Sequence, residues 1–118
     1  MSGPDALDLA SLRSELEEHR DALRKEISAQ GADPGSEDFL VDLERGFADS
    51  AHSTAERARL IALVKELRAN LLDVERALAK MDQGAYGTCE RCHQPIAPER
   101  LEAIPWARLC MACKQKAS

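Results

Sequence analysis

The feature that most restricts this chain is the placement of its four cysteines. They form two identical pairs, Cys89-x-x-Cys92 and Cys110-x-x-Cys113, with 17 residues between the pairs. Two cysteines three residues apart on a tight turn can aim both sulfurs at one point about 2.3 Å away, and two such turns complete a tetrahedron. The C-x2-C-x17-C-x2-C spacing falls in the range that marks a four-cysteine zinc site. Zinc suits soft thiolates and brings no redox chemistry of its own. With Cys89, Cys92, Cys110 and Cys113 filling all four positions, no open coordination position remains, so one Zn2+ in a structural role is expected. The tail around the cysteines is poor in apolar residues, so metal binding is expected to be its main folding energy. Cys110 is expected to open a short terminal helix through Lys116, where a helix N-terminus favours thiolate.

Other uses of four cysteines fit less well. A disulfide framework needs oxidising surroundings, and a redox dithiol usually follows a strand in a βαβ context. The first thirty residues show no apolar run or basic cluster of the kind that marks a secretory leader. The longest purely apolar run, Leu60 to Val64, is far short of a membrane span. The reading is a cytoplasmic protein with no membrane partner.

Upstream of the cysteines the chain reads as helix. Aromatics make up 3% of the residues (Phe39, Phe47, Tyr86 and Trp106), while Leu, Ala, Glu and Arg are heavily used. That is the composition of long helices and coiled coils. Leu60, Val64, Leu67, Leu71, Val74, Leu78 and Met81 alternate steps of four and three over three heptads, which predicts a coiled-coil seam. This helix runs over about 55–83 and stops at Gly84. Its ~29 residues would span roughly 40 Å. Ser53 with Glu56 fits a capping box for its start, and Asp49 is an alternative start.

A first helix is predicted over about 5–30. Leu9, Leu12, Leu16 and Leu23 form its seam, with His19 in the skipped slot as a tolerated polar core position. Pro4 precedes it, and Gly31, Pro34 and Gly35 end it. Phe39, Leu40, Leu43 and Phe47 predict a short amphipathic helix over 36–47, with Ser36 as a cap. Two long helices with one connection most simply make an antiparallel hairpin. The expected architecture is mainly α: a coiled-coil hairpin over 1–83, with its tip at about 31–54, and a four-cysteine zinc finger with a short terminal helix over 84–118.

The net charge of −5 is unevenly spread. Residues 1–83 carry 11 basic and 18 acidic side chains, and residues 84–118 carry 5 and 3. Four thiolates around one Zn2+ would bring that basic tail close to neutral. The most acidic stretch is 31–54, with Asp33, Glu37, Asp38, Asp42, Glu44 and Asp49 against Arg45 alone, a surface that repels phosphates.

The stretch "YGTCERC" followed by "PIAPERLEAIPWARLCMACK" resembles the zinc finger of the DksA/TraR family of bacterial RNA polymerase-binding regulators. The resemblance rests on the Tyr-Gly before the first pair, the Pro-Ile turn after it, and the Arg-Leu-Glu-Ala-x-Pro run before the second. It implies a helical hairpin projecting from the finger, whose tip enters the secondary channel of RNA polymerase. It also implies no specific binding of promoter DNA, and leaves guanosine tetraphosphate as an optional co-signal that is not predicted here. The family's tip motif, Asp-x-x-Asp-x-Ala, aligns with Gly46-Phe47-Ala48-Asp49-Ser50-Ala51. Asp49 and Ala51 match, and Gly46 replaces the first acid. His93 stands where the family commonly has glycine after the second cysteine. If that turn takes a left-handed residue, His is more costly there than Gly.

The resemblance implies a transcription regulator acting through the polymerase. Two other readings compete with it. One is a zinc-stabilised interaction or dimerisation module that buries Phe39, Leu40, Leu43 and Phe47 against a partner. The other is a nucleic-acid-binding zinc module using Arg91, Arg100, Arg108, Lys114 and Lys116, against which stand the near-neutral metallated tail and the acidic hairpin. An enzyme is not expected. His19, His52 and His93 are scattered, no glycine loop cradles phosphate, and zinc would occupy every thiol. Tyr86 and Trp106 are expected to pack against the zinc module rather than stack on bases.

Overall fold

A computed structural model describes residues 8–36 and 53–117. Among them are four helices: α1 (Leu9–Ala29), α2 (Thr54–Gln83), α3 (Pro98–Ala103) and α4 (Met111–Ala117). The fold is mainly helical, with two long helices followed by a four-cysteine cluster. The short helix expected over 36–47 and the tip residues Asp49 and Ala51 lie outside the described residues. No helix among those described is long and apolar enough to cross a membrane.

Local chemistry sets the helix ends. At the start of α1 the Asp8 carboxylate accepts the N–H of Ser11 at 3.1 Å, an N-cap that satisfies one of the orphan donors of the first turn. The described helix starts at Leu9, and the expected start at Asp5 lies outside the described residues. At the start of α2 Ser53 and Glu56 close a reciprocal capping box. Glu56 N–H donates to Ser53 Oγ at 3.1 Å, and Ser53 N–H donates to Glu56 Oε1 at 2.9 Å. Both long helices end on a left-handed glycine, Gly31 at φ 90° and Gly84 at φ 73°. Around each glycine run the paired bonds of a Schellman motif. Ala32 N–H reaches Ile27 O and Gly31 N–H reaches Ser28 O, while Ala85 N–H reaches Lys80 O and Gly84 N–H reaches Met81 O.

The chain divides into two compact units, one running up to Arg20 and resuming at Asp73, the other covering Asp21–Leu72. In the second unit Leu23, Ile27, Ala32, Val64, Leu67 and Leu71 are buried. In the first, Leu12, Leu16, Val74, Ala77 and Leu78 are buried on the long helices, and Arg13 of α1 pairs with Asp82 near the end of α2. Burying each such Leu, Ile or Val side chain contributes roughly 1.5–3 kcal/mol.

Five of the seven α2 seam positions are thus buried, Leu60 and Met81 at the two ends being half-covered. In α1 the expected seam is corrected at both ends. Leu9 is 52% exposed, because the helix has only just begun there, and Ile27 joins the core with no exposed surface. His19 is half-buried and is not a core residue. Its ring stacks on Trp106, with centroids 4.9 Å apart and planes at 18°. Trp106 therefore meets α1, and only Tyr86 packs on the cysteine cluster as expected.

Candidate metal centre

The first cysteine pair sits on a closed turn. Gly87 enters it at φ 90°, and its carbonyl accepts the Ile96 N–H at 2.7 Å, beside an isolated antiparallel bridge between Thr88 and Pro95. Cys89 N–H donates to Gln94 O at 2.8 Å, and His93 N–H donates to Cys89 O at 3.0 Å. To close this turn the chain takes His93 to φ 62°, the one non-glycine residue with positive φ among those described. The left-handed requirement raised by His93 in the sequence is therefore real.

The second pair sits at a helix start. Cys110 caps α4, whose first carbonyl bond runs from Lys114 N–H to Cys110 O at 2.9 Å. Between the pairs, Pro98 occupies the first turn of α3, where its missing N–H costs nothing. That helix inserts Leu101, which has no exposed surface, into a small core with Cys89, Ile96 and Cys113. Tyr86, Ala107, Leu109 and Cys110 pack around it. The sequence reading missed α3, although Pro98-Glu99 is a recognisable helix opening.

The two pairs are tied together by backbone and charge. Glu90 N–H donates to Arg108 O at 2.9 Å, and Arg100 Nε donates to Leu109 O at 2.9 Å. Glu90 also meets Lys80 of α2 at 2.7 Å and Arg108 at 3.4 Å, and Arg108 continues to Asp73 at 3.3 Å. The Lys80 ammonium, aided by Arg108, holds the Glu90 carboxyl below the usual carboxylate range. Arg100 and Arg108, among the cations that could have faced nucleic acid, are thus engaged within the protein.

The four thiols converge. Their sulfurs all lie within 4.8 Å of one another, and Cys92 Sγ is 3.8 Å from Cys110 Sγ. A tetrahedron with metal–sulfur bonds of about 2.3 Å has sulfur–sulfur edges of about 3.8 Å, so the set fits one tetrahedral ion. All four are free thiols. The backbone is also arranged for thiolate. Cys89 Sγ accepts N–H groups from Arg91 at 3.4 Å and Cys92 at 3.5 Å. The Cys92 N–H above all lowers the Cys89 thiol to about 5, against the opposing effect of burial. Cys110 is lowered chiefly by the backbone N–H of Cys113, as expected for a helix cap. Burial pushes Cys113 up to about 12. Backbone N–H groups thus favour thiolate at Cys89 and Cys110, and thiolate is the form that binds a metal ion.

Residues 84–118 match the family model of the prokaryotic dksA/traR C4-type zinc finger. The chain is 30% identical over 109 residues to the RNA polymerase-binding transcription factor DksA of Escherichia coli K12, covering 90% of this chain and 68% of that protein. It is 55% identical over 47 residues to general stress protein 16O of Bacillus subtilis, covering 39% of this chain and 29% of that protein. The solved structure of transcription factor DksA2 from Pseudomonas aeruginosa shares 26% identity at a TM-score of 0.67, covering 92% of this chain and 81% of that one. The chain spans only 25% to 33% of the length of three curated relatives, the stress protein among them.

Proposed function

The chain belongs to the DksA/TraR family of C4-type zinc-finger proteins, and on that premise we propose that it is a transcription regulator that binds bacterial RNA polymerase. The observation that carries the reading is the extent of the likeness. It covers 90% of this chain against an RNA polymerase-binding relative, and so takes in the long helices as well as the finger. In this reading Cys89, Cys92, Cys110 and Cys113 hold one structural Zn2+, which supplies a fixed tetrahedral node and no reaction chemistry. The ion pairs from Glu90 and Arg108 to α2 then tie that node to the long helices.

The working segment is the connection between α1 and α2. Asp49 and Ala51 enter the polymerase secondary channel and act there by charge and fit near the catalytic centre. Gly46 leaves Asp49 as the single acid of the tip motif. Asp49→Asn should then abolish any effect on initiation while leaving the melting temperature unchanged. The test is photo-cross-linking from a probe at position 50 of the zinc-loaded chain to core RNA polymerase. Adducts in the secondary channel support the reading. Adducts elsewhere remove the channel mechanism, and no binding at micromolar concentration removes the polymerase.

A further inference from the structure

Asp73 and Lys80 both belong to α2, seven residues apart. Seven residues make almost two turns, so the two side chains lie nearly in line on one face, about 10 Å apart along the axis. The finger meets that face with opposite charges in matching order. Lys80 Nζ meets Glu90 Oε2 at 2.7 Å, and Arg108 Nη1 meets Asp73 Oδ1 at 3.3 Å. The two finger residues also meet each other, Arg108 Nε lying 3.4 Å from Glu90 Oε1. Charges thus alternate along one unbroken chain from Lys80 through Glu90 and Arg108 to Asp73. Asp73 also meets Arg76 of its own helix, at a longer 3.9 Å.

Glu90 and Arg108 belong to different cysteine pairs. Glu90 lies inside the first pair, next to Cys89, and Arg108 lies two residues before Cys110 of the second. Each pair is therefore moored to its own turn of α2. Between the moorings Glu90 N–H donates to Arg108 O at 2.9 Å, and Cys92 Sγ of one pair stands 3.8 Å from Cys110 Sγ of the other. Thiolates drawn that close repel one another until a cation lies between them, so groups other than the sulfurs must hold the two segments together. The Lys80 side chain is only 19% exposed, so salt screens its contact with Glu90 less than it would a fully exposed pair.

We propose that Asp73 and Lys80 are positioning residues for the metal centre, and that α2 acts as a ruler setting the spacing of the two cysteine pairs from outside the thiol cluster. Neither residue is a ligand, and α2 carries no cysteine. The inference rests on the reading of Cys89, Cys92, Cys110 and Cys113 as one Zn2+ site. With the moorings cut, the pairs part more readily and zinc leaves faster.

The experiment uses the full zinc-loaded chain and follows zinc transfer to a chromophoric chelator, in an excess at which the rate no longer depends on chelator. The variant Asp73→Asn with Lys80→Gln removes both moorings without changing the net charge. It should release zinc roughly fivefold faster than wild type at low salt, the scale of two partly exposed ion pairs. The two proteins should converge at about 1 M salt, where screening acts within ~3 Å. Asp73→Glu with Lys80→Arg should restore most of the wild-type rate, because both charges are kept. Arg13→Gln with Asp82→Asn, which removes an ion pair between α1 and α2 that does not reach the finger, should release zinc at the wild-type rate. Equal rates for wild type and the Asp73/Lys80 variant at low salt would overturn the inference and leave the zinc reading standing. So would an equal acceleration in the Arg13/Asp82 variant, which would mark a general loosening of α2. Failure of the wild type to hold one Zn2+ per chain removes the zinc reading, and this inference with it. If the Asp73/Lys80 variant loses its helices, the two single variants, each expected at about twofold, are read in the same way.

Discussion

At the scale of single residues, two side chains offer direct tests. Tyr86 is the only tyrosine, and its hydroxyl donates to Pro105 O at 2.8 Å. Burial first, and the charge of Glu15 second, push its phenol up to about 12. A raised value in the folded state means that this stabilisation is complete below the unfolded phenol's pKa of about 10 and is lost as pH rises through about 12. Phenolate absorbance should therefore titrate near 12 in the native protein and near 10 in denaturant. Tyr86→Phe should remove the alkaline loss while costing about 1 kcal/mol at neutral pH, read by denaturant unfolding. His93 is the second test. Held at φ 62°, it carries a strain that glycine would not, so His93→Gly should raise stability by about 1 kcal/mol and slow loss of metal to a chelator. The position of His93 was legible because it directly follows a cysteine of known geometry. The Glu90 bridges to Lys80 and Arg108 were not, because an ion pair between residues far apart in sequence leaves no pattern in the sequence itself.

At the scale of elements, periodicity and capping chemistry carried most of the information. The seam from Val64 to Leu78 could be read because a heptad step is a direct image of helix geometry. The capping box at Ser53 could be read for the same reason, since both partners lie within one turn. Ser53→Ala should cost α2 about 1 kcal/mol and fray its first turn, visible as faster amide exchange at residues 54–57 than further along the helix. What escaped was decided by packing. Leu9 has the right spacing for the seam but stands 52% exposed at a helix start. Ala77 sits beside the seam and is nonetheless 5% exposed. His19 filled a gap in the α1 pattern, but the ring it meets comes from position 106, which no local spacing announces.

At the scale of the whole molecule, the finger and the unit Asp21–Leu72 depend on different forces. The finger's own core is Cys89, Ile96, Leu101 and Cys113, and two of these four are thiols of the metal centre. A core that small offsets little of the entropy of ordering its loops, so on the zinc-bound reading the ion supplies most of the finger's stability. A strong chelator at neutral pH should therefore release one Zn2+ per chain and unprotect the amides of 86–113. The unit Asp21–Leu72, with Leu23, Ile27, Val64, Leu67 and Leu71 buried, should keep its slow exchange. Simultaneous loss of protection in the finger and in this unit would show that both unfold as one cooperative body.

Trp106 is the chain's single tryptophan, and it lies flat against His19 of α1. Stacked rings of this kind hold together by about 0.5–1.5 kcal/mol, enough to seat the loop before Cys110 and little enough to be displaced. The intrinsic emission of the protein therefore has one address, the joint between that loop and α1. Whatever lifts the loop, be it chelation, denaturant or a docking partner, will change the colour and brightness of that single emitter. The protein comes with its own dye at the joint, and its movements there can be followed in real time with nothing attached.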